Sequence, residues 1–284
     1  MRRFLDSVVP TLEGRARGVA QLNINSGILR SLTVPLPSPP EQRRIAEILD
    51  KADALRAKRR AALAQLDTLT QSIFLDMFGD PATNPKGWSS KPLGALAKKF
   101  SDGPFGSNLK TEHYTETGIR VIRLQNIGVG EFVNDDAAYI DSRHFDALKK
   151  HECLPGDVLV GTLGNPNLRA CVQPEWLSVA LNKADCVQIR PDKNVVTAEF
   201  VCALLNQPST ERMANELMRG QTRVRISMGR LREMEVPVPP IAMQREFANH
   251  VAASEDLKQI QRASQSELRA LFGSLQHRAF RGEL

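Results

Sequence analysis

No run of apolar residues in this 284-residue chain approaches the length of a membrane span, and its opening Met1-Arg2-Arg3-Phe4-Leu5-Asp6 meets an acid before any apolar core long enough for a signal peptide. Cysteine is scarce and scattered. Cys153, Cys171, Cys186 and Cys202 form no Cys-x-x-Cys pair and have no histidine pair nearby, so the ligand spacing of a zinc site is missing. These absences lead us to expect a soluble cytoplasmic protein with reduced thiols and no metal.

The signatures of catalysis are missing too. There is no phosphate-binding Walker motif, and the strings nearest to the Asn-Pro-Pro-aromatic or Asp-Pro-Pro-aromatic cluster of adenine methyltransferases, Asn84-Pro85-Lys86 and Asn165-Pro166-Asn167, fail the pattern. His151-Glu152-Cys153 is the only dense polar triplet around a histidine, but neighbours in sequence rarely converge on one substrate, and a surface loop is the favoured reading. Asp135-Asp136 lacks the nearby glutamate and lysine of a nuclease site and reads as a solvated turn. The expectation is a chain that catalyses nothing and carries no cofactor.

What is present is enough apolar residue for a real core, at 42%, and a formal charge of +6 with a pI near 9.3. That balance suits an acidic partner such as nucleic acid or an acidic protein, although many basic proteins simply have solvated basic faces.

The strongest organising feature is a duplication. Val34-Pro35-Leu36-Pro37 recurs as Val236-Pro237-Val238-Pro239, a shift of 202 residues, with prolines crowding after both copies. At the same shift Gly18 meets Gly220, Ile24 meets Ile226, Gly27 meets Gly229, Leu29 meets Leu231, Arg30 meets Arg232, Gln42 meets Gln244 and Arg43 meets Arg245. A period this long is a domain-scale duplication rather than a solenoid, whose repeats run to roughly 20 to 50 residues.

After each proline cluster the spacing turns helical. Ser38-Pro39-Pro40-Glu41 suits a helix start, and Ile45, Ile48, Ala52, Leu55, Ala62, Leu66, Leu69 and Ile73 fall on alternating threes and fours, interrupted by Arg59, as a coiled-coil seam does. A helix of about 38 residues would reach nearly 60 Å. The second copy places Phe247, Leu257, Leu268, Leu271 and Leu275 at equivalent positions, with Ser254, Gln261 and Ser264 weakening its middle. Two such helices, each with a narrow apolar stripe, are expected to pack together in this chain or with another; a hairpin inside one globular core is the alternative.

Between the helices the period changes. Ile119 to Leu124, Asp157 to Val160 and Ala184 to Ile189 read as strands, while Glu199 to Leu205 and Ser209 to Met218 have helical spacing, which predicts a mixed α/β domain over residues 80–238. The expected division is 1–37, a domain remnant; 38–79, a spacer helix; 80–238, the mixed domain; and 239–284, a second spacer helix.

Three loops of this domain are candidates for touching a partner. In Asp102 to Lys110, Phe105 offers a wedge, Ser107 and Asn108 offer hydrogen bonds and Lys110 a charge; a plain surface turn is the alternative. The Gly-rich Gly161 to Asn167 lacks the lysine and Ser/Thr ending of a P-loop and reads more readily as a hairpin connection than as a nucleotide cradle; Thr162 and Asn165 are its candidate DNA contacts. Arg219 to Arg225 gathers arginines around polar groups. There Arg223 and Arg225 suit phosphate or guanine, Gln221 suits adenine, and Thr222 adds a hydroxyl, with Arg120 and Arg123 as candidates for the same basic face.

Taken together, Val34 to Ile45 leading into a long helix, Asp102 to Lys110, Gly118 to Ile127, Pro155-Gly156-Asp157-Val158-Leu159 and the closing Ala279-Phe280-Arg281-Gly282-Glu283-Leu284 resemble the specificity subunits of type I restriction-modification systems. The resemblance covers nearly the whole chain from about Arg15. It implies a double-stranded DNA reader with target-recognition domains separated by two antiparallel helices that bind methyltransferase subunits and, through them, restriction subunits. Methylation with S-adenosylmethionine and ATP-driven cleavage would belong to those partners. This chain departs from the family plan of two recognition domains in having one complete domain and the tail of another, up to about Leu32. It therefore implies pairing of two copies, assembly with a separately encoded half, or a decayed remnant. A scaffold that holds or blocks partners through its coiled coil without reading DNA is the competing function.

Overall fold

The computed structural model describes residues 24–33, 36–164, 166–217, 225–279, 281 and 283. It divides into two compact units, one of residues 1–67 with 255–284 and one of residues 68–254. The boundary between them falls inside both long helices, not at helix ends.

The duplication is visible in local structure. Helix α1 (Ser26–Arg30) is capped by the Asn25 side chain, which accepts from Ile28 N at 2.9 Å. Its counterpart 202 residues on, Met228–Glu233, is capped in the same way by Ser227 through Arg230 N. Helix α2 (Pro39–Phe78) and the C-terminal helix Ile241–Ala279 also begin 202 residues apart. Gln42 Nε2 donates to Pro37 O at 2.8 Å, and Gln244 Nε2 donates to Pro239 O at the same distance. The packing differs, because Ile226 and Leu231 are fully buried whereas Ile24, Leu29 and Leu36 are exposed.

The two long helices pack antiparallel. In the first unit Ile45, Leu49 and Ala52 meet Phe272, Leu275 and Ala279. In the second, Phe74 and Phe78 pack against Phe247 with ring centroids 5.7 and 5.4 Å apart. Midway, Arg59 donates to the Gln261 side chain, so two residues 202 apart meet each other. Duplicated antiparallel helices meet at equivalent positions only where an internal two-fold axis passes between them, and that point is Arg59 and Gln261.

The seam keeps Ile45, Ala52, Arg59, Leu66 and Ile73 of the expected row and differs at the positions between them. The inward positions of α2 step by fours and threes through Ile45, Leu49, Ala52, Arg56, Arg59 and Leu63, and at its C-terminal end the buried positions are Phe74 and Phe78; those of the partner helix run from Phe247 through Ser254, Lys258 and Phe272 to Ala279. Leu55 and Leu69, and their counterparts Leu257 and Leu271, are exposed. The apolar stripe of α2 is wide enough for two rows. The chosen row gains Leu49 and Leu63 and tolerates arginine, because an arginine stem lies flat on an apolar neighbour while its head reaches water: the Arg56 guanidinium sits 4.4 Å from the Phe272 ring centroid.

The second unit has the expected mixed α/β class. Eleven strands are described: β1 (Ser90–Pro92), β2 (Ala97–Asp102), β3 (Tyr114–Thr115), β4 (Ile119–Ile122), β5 (Tyr139–Ile140), β6 (Glu152–Cys153), β7 (Val158–Gly161), β8 (Arg169–Val172), β9 (Ala180–Asn182), β10 (Cys186–Pro191) and β11 (Glu235–Pro237). An antiparallel sheet of order β2-β10-β7-β8 adjoins a five-stranded sheet, β3-β5-β4-β9-β6, in which β4 and β9 run parallel; β1 pairs with β11. Every position of β7 is buried, which is why it reads as a short apolar run, whereas β10 alternates apolar residues with Gln188 and Arg190 and is buried at every position but Arg190. Further helices are α3 (Ser142–Ala147), α4 (Ala198–Leu205), α5 (Pro208–Glu216), α6 (Met228–Glu233) and α7 (Ile241–Ala279). The core beneath the four-stranded sheet is built from α4, whose Phe200 packs against Phe74 and Phe78, with ring centroids 5.6 and 5.1 Å apart. No helix among the described residues is long and apolar enough to cross a membrane.

Candidate nucleic-acid interface

Four chain segments converge at one end of the sheet β2-β10-β7-β8. The first leaves β2 at Gly103, where a Cβ would lie 2.2 Å from the Lys183 carbonyl carbon; glycine is what lets this loop lie against the β9 to β10 turn. Beyond it Phe105, Ser107, Asn108 and Lys110 are all exposed. The loop is held from below. Asn108 Nδ2 donates to Phe105 O at 3.1 Å, His144 Nε2 donates to Asn108 O at 2.9 Å, and Lys110 N donates to His113 Nδ1 at 3.0 Å. At its root His151 Nδ1 donates to Asp102 O at 2.6 Å; burial pushes that imidazole below its ordinary pKa, favouring the neutral form. Lys110 Nζ lies 3.4 Å from a Glu112 carboxylate oxygen, a solvated pair of little energetic weight.

The second segment is the turn after β7. Thr162 is buried; its N–H and Oγ1–H both reach Asp185 O, each at 3.1 Å, and its carbonyl accepts from Ile226 N at 3.2 Å. It therefore joins three segments together, and its hydroxyl is not on the surface as a DNA contact requires. Arg169 is the clamp of this turn: its guanidinium donates to the carbonyls of Ile127, Leu163, Pro166 and Leu124 at 2.7 to 3.0 Å.

The third and fourth segments bring Asp185 and Arg225 together. Arg225 forms a backbone bridge with Leu163, its Nε lies 2.7 Å from Asp185 Oδ1, and its guanidinium carbon is 5.2 Å from the Phe105 ring centroid. Of the candidate residues, Phe105, Thr162 and Arg225 are thus brought to one place, with Ser107, Asn108 and Lys110 on the same loop as Phe105. Asn165, Gln221, Thr222 and Arg223 lie outside the described residues.

Arg120 and Arg123 are not presented as a shared basic face. Arg120 is 6% exposed, donates through Nη2 to Asp136 O at 2.7 Å and lies against the Tyr139 ring; it is an internal brace. Arg123 is ion-paired with Asp136, which also accepts from Gln125. Asp136 is accordingly an anchor for these arginines, while Asp135 is exposed as expected of a solvated turn. Sequence reasoning missed Asp185, Arg169 and Asp157. Asp157 is a buried carboxylate that takes Leu154 N at 2.7 Å, Gln188 Nε2 at 2.6 Å and two Arg190 nitrogens at 2.8 and 2.9 Å. No local signal marks them, because each acts on residues from other elements.

Comparison with known proteins gives a consistent result. The family model for the type I restriction modification DNA specificity domain matches residues 4–65. The chain is 17% identical to the MjaVIII specificity subunit of Methanocaldococcus jannaschii, over 90% of this chain and 63% of that protein. It is 22% identical to the EcoBI specificity subunit of Escherichia coli, over 100% of this chain and 66% of that one. The chain therefore spans just under two thirds of the length of these relatives. Among solved structures it is similar to a chain of a type I restriction-modification assembly, with TM-score 0.64 at 19% identity over 99% of this chain and 68% of that one. It is also similar to the type I S subunit from M. genitalium, with TM-score 0.56 at 18% identity, over 98% of this chain and 71% of that chain. The HsdS subunit from Thermoanaerobacter tengcongensis matches with TM-score 0.51 at 18% identity, over 99% and 70%.

Proposed function

We infer that this chain is a type I restriction-modification specificity subunit, and we propose that its mixed α/β unit reads one half of a bipartite DNA site while its paired helices dock methyltransferase subunits. The observation that carries the proposal is the internal two-fold at Arg59 and Gln261. A two-fold coil offers equivalent outer faces, here marked by exposed Leu55 and Leu257, and so suits two copies of one partner. The unit it bears presents Phe105, Lys110 and Arg225 on convergent loops in a chain of net charge +6. In such a reader, lysine and arginine gain affinity by releasing counterions from phosphate, and a few side chains at base edges supply discrimination, each worth about 1–3 kcal/mol.

Methylation and cleavage would then reside in partner subunits, and the chain would work in the cytoplasm without a cofactor of its own. A bipartite site needs a second recognition domain. Ile24 and Leu29 are exposed while their counterparts Ile226 and Leu231 are buried within the recognition unit, so they offer an apolar surface on which such a second domain would pack. The test is co-expression with the cognate methyltransferase followed by mapping of methylated adenines. A new methylated motif is expected; a stable complex with no motif gained would sink the recognition role and leave the scaffold reading, in which the full chain shows no salt-dependent affinity for DNA.

A further inference from the structure

We propose that Asp185 is a positioning residue that holds Arg225 back from phosphate and so sets how sharply the chain discriminates between DNA sequences. The inference rests on reading the mixed α/β unit as a DNA reader.

Asp185 lies at φ +68°, the left-handed region that aspartate and asparagine tolerate better than other residues with side chains. Its carbonyl is pinned by both donors of Thr162, and the backbone of Arg225 is pinned to the same turn through Leu163 and Ile226. Anion and cation are therefore brought together by their backbones, not by a chance meeting of long side chains. The Arg225 side chain is 38% and the Asp185 side chain 24% exposed, although the facing atoms Nε and Oδ1 are themselves buried, so water reaches the outer parts of both groups and not the contact between them. Its contact is ionic: Nε and Oδ1 are 2.7 Å apart but not aligned as a hydrogen bond. Phe105 covers the guanidinium, and neither Nη1 nor Nη2 is hydrogen-bonded to a described residue, so the fork that recognises a phosphate or a guanine edge is unspent.

The carboxylate affects the two ligands differently. A phosphate arriving at Arg225 brings a full negative charge close to Asp185, and the repulsion cancels much of the attraction. The O6 and N7 edge of guanine carries only partial negative charge, so it binds the same fork with a smaller penalty. Asp185 thus weakens sequence-independent binding more than base-specific binding, and the specificity ratio rises by the difference.

The test is Asp185→Asn in the full chain, because asparagine keeps the shape and the tolerance of positive φ while removing the charge. Binding is read by fluorescence anisotropy across a potassium chloride series, on a duplex enriched from a random library by the wild type and on a scrambled duplex. The expected result is tighter binding of the scrambled duplex by about tenfold, with a salt slope steeper by about one, from one more phosphate engaged. The enriched duplex should gain less, so that the specificity ratio falls by about threefold or more. Arg225→Met should abolish the gain when combined with D185N. Asp185→Gly, which also accepts positive φ, serves if D185N does not fold. Equal weakening of both duplexes, or no change in either the slope or the ratio, overturns the proposal and leaves Asp185 a structural residue while DNA reading stands. If the wild type enriches no sequence and shows no salt-dependent affinity, the DNA reading itself fails, and this inference with it.

Discussion

Replacing Asp157 by alanine removes the acceptor that holds β7 and β10 together at their polar end. The carboxylate is 2% exposed and takes four donors, two of them from Arg190, whose own side chain is 27% exposed. Breaking a buried pair by deleting one partner costs about 3–5 kcal/mol, since the survivor is left with an uncompensated charge. Arg190 recovers part of its hydration through its exposed fraction, which puts the expectation at the lower end, about 3 kcal/mol. With a urea m-value of about 2–3 kcal/mol/M for a unit of this size, the midpoint should fall by roughly 1–1.5 M. Trp88 and Trp176, the two tryptophans of the chain, both lie in the unit of residues 68–254, so intrinsic fluorescence follows the unfolding of that unit. The double variant Asp157→Leu with Arg190→Met should be less damaged than D157A alone, because no charge is stranded. A midpoint shift of D157A below about 0.3 M, or a double variant no better than the single one, would refute the reasoning.

The seam register predicts that Leu49→Ala lowers stability by about 2–5 kcal/mol while Leu55→Ala changes it by under about 1 kcal/mol, measured by thermal or urea unfolding followed by far-ultraviolet circular dichroism; equal effects would restore the row expected from sequence. His151 is held below its ordinary pKa by burial, so the unfolded chain binds the extra proton first: its contribution is complete above about pH 6.5 and is lost as pH falls from there through the folded value. Melting temperature should therefore drop between pH 7.5 and 5.5, and His151→Gln, which keeps a donor for Asp102 O, should flatten that dependence; an unchanged slope would count against it. Burial raises the thiols of Cys153 and Cys171 and pushes Cys186 up to about 12, so these should stay unlabelled by a thiol reagent at pH 8 until denaturant is added. Rapid native labelling of any of them would contradict the packing.

The amino-acid sequence on its own determined what depends on short windows and on self-comparison. Alternation of apolar residues specified the strands around Ile119 and Val187, and a short apolar run the one around Val158; the three-and-four spacing specified two long helices, seen as Pro39–Phe78 and Ile241–Ala279; and the 202-residue shift announced two copies of one design. Which row of α2 turns inward was a tertiary decision, because a helix with two adjacent apolar rows is indifferent until a partner with Phe247 and Phe272 selects one. The fate of each arginine was decided the same way. Arg120 is buried against a carbonyl sixteen residues away, while Arg225 meets a carboxylate forty positions upstream. Charge and periodicity are local properties, but whether a charged group faces water, a backbone carbonyl or another charge depends on which distant segments fold against it.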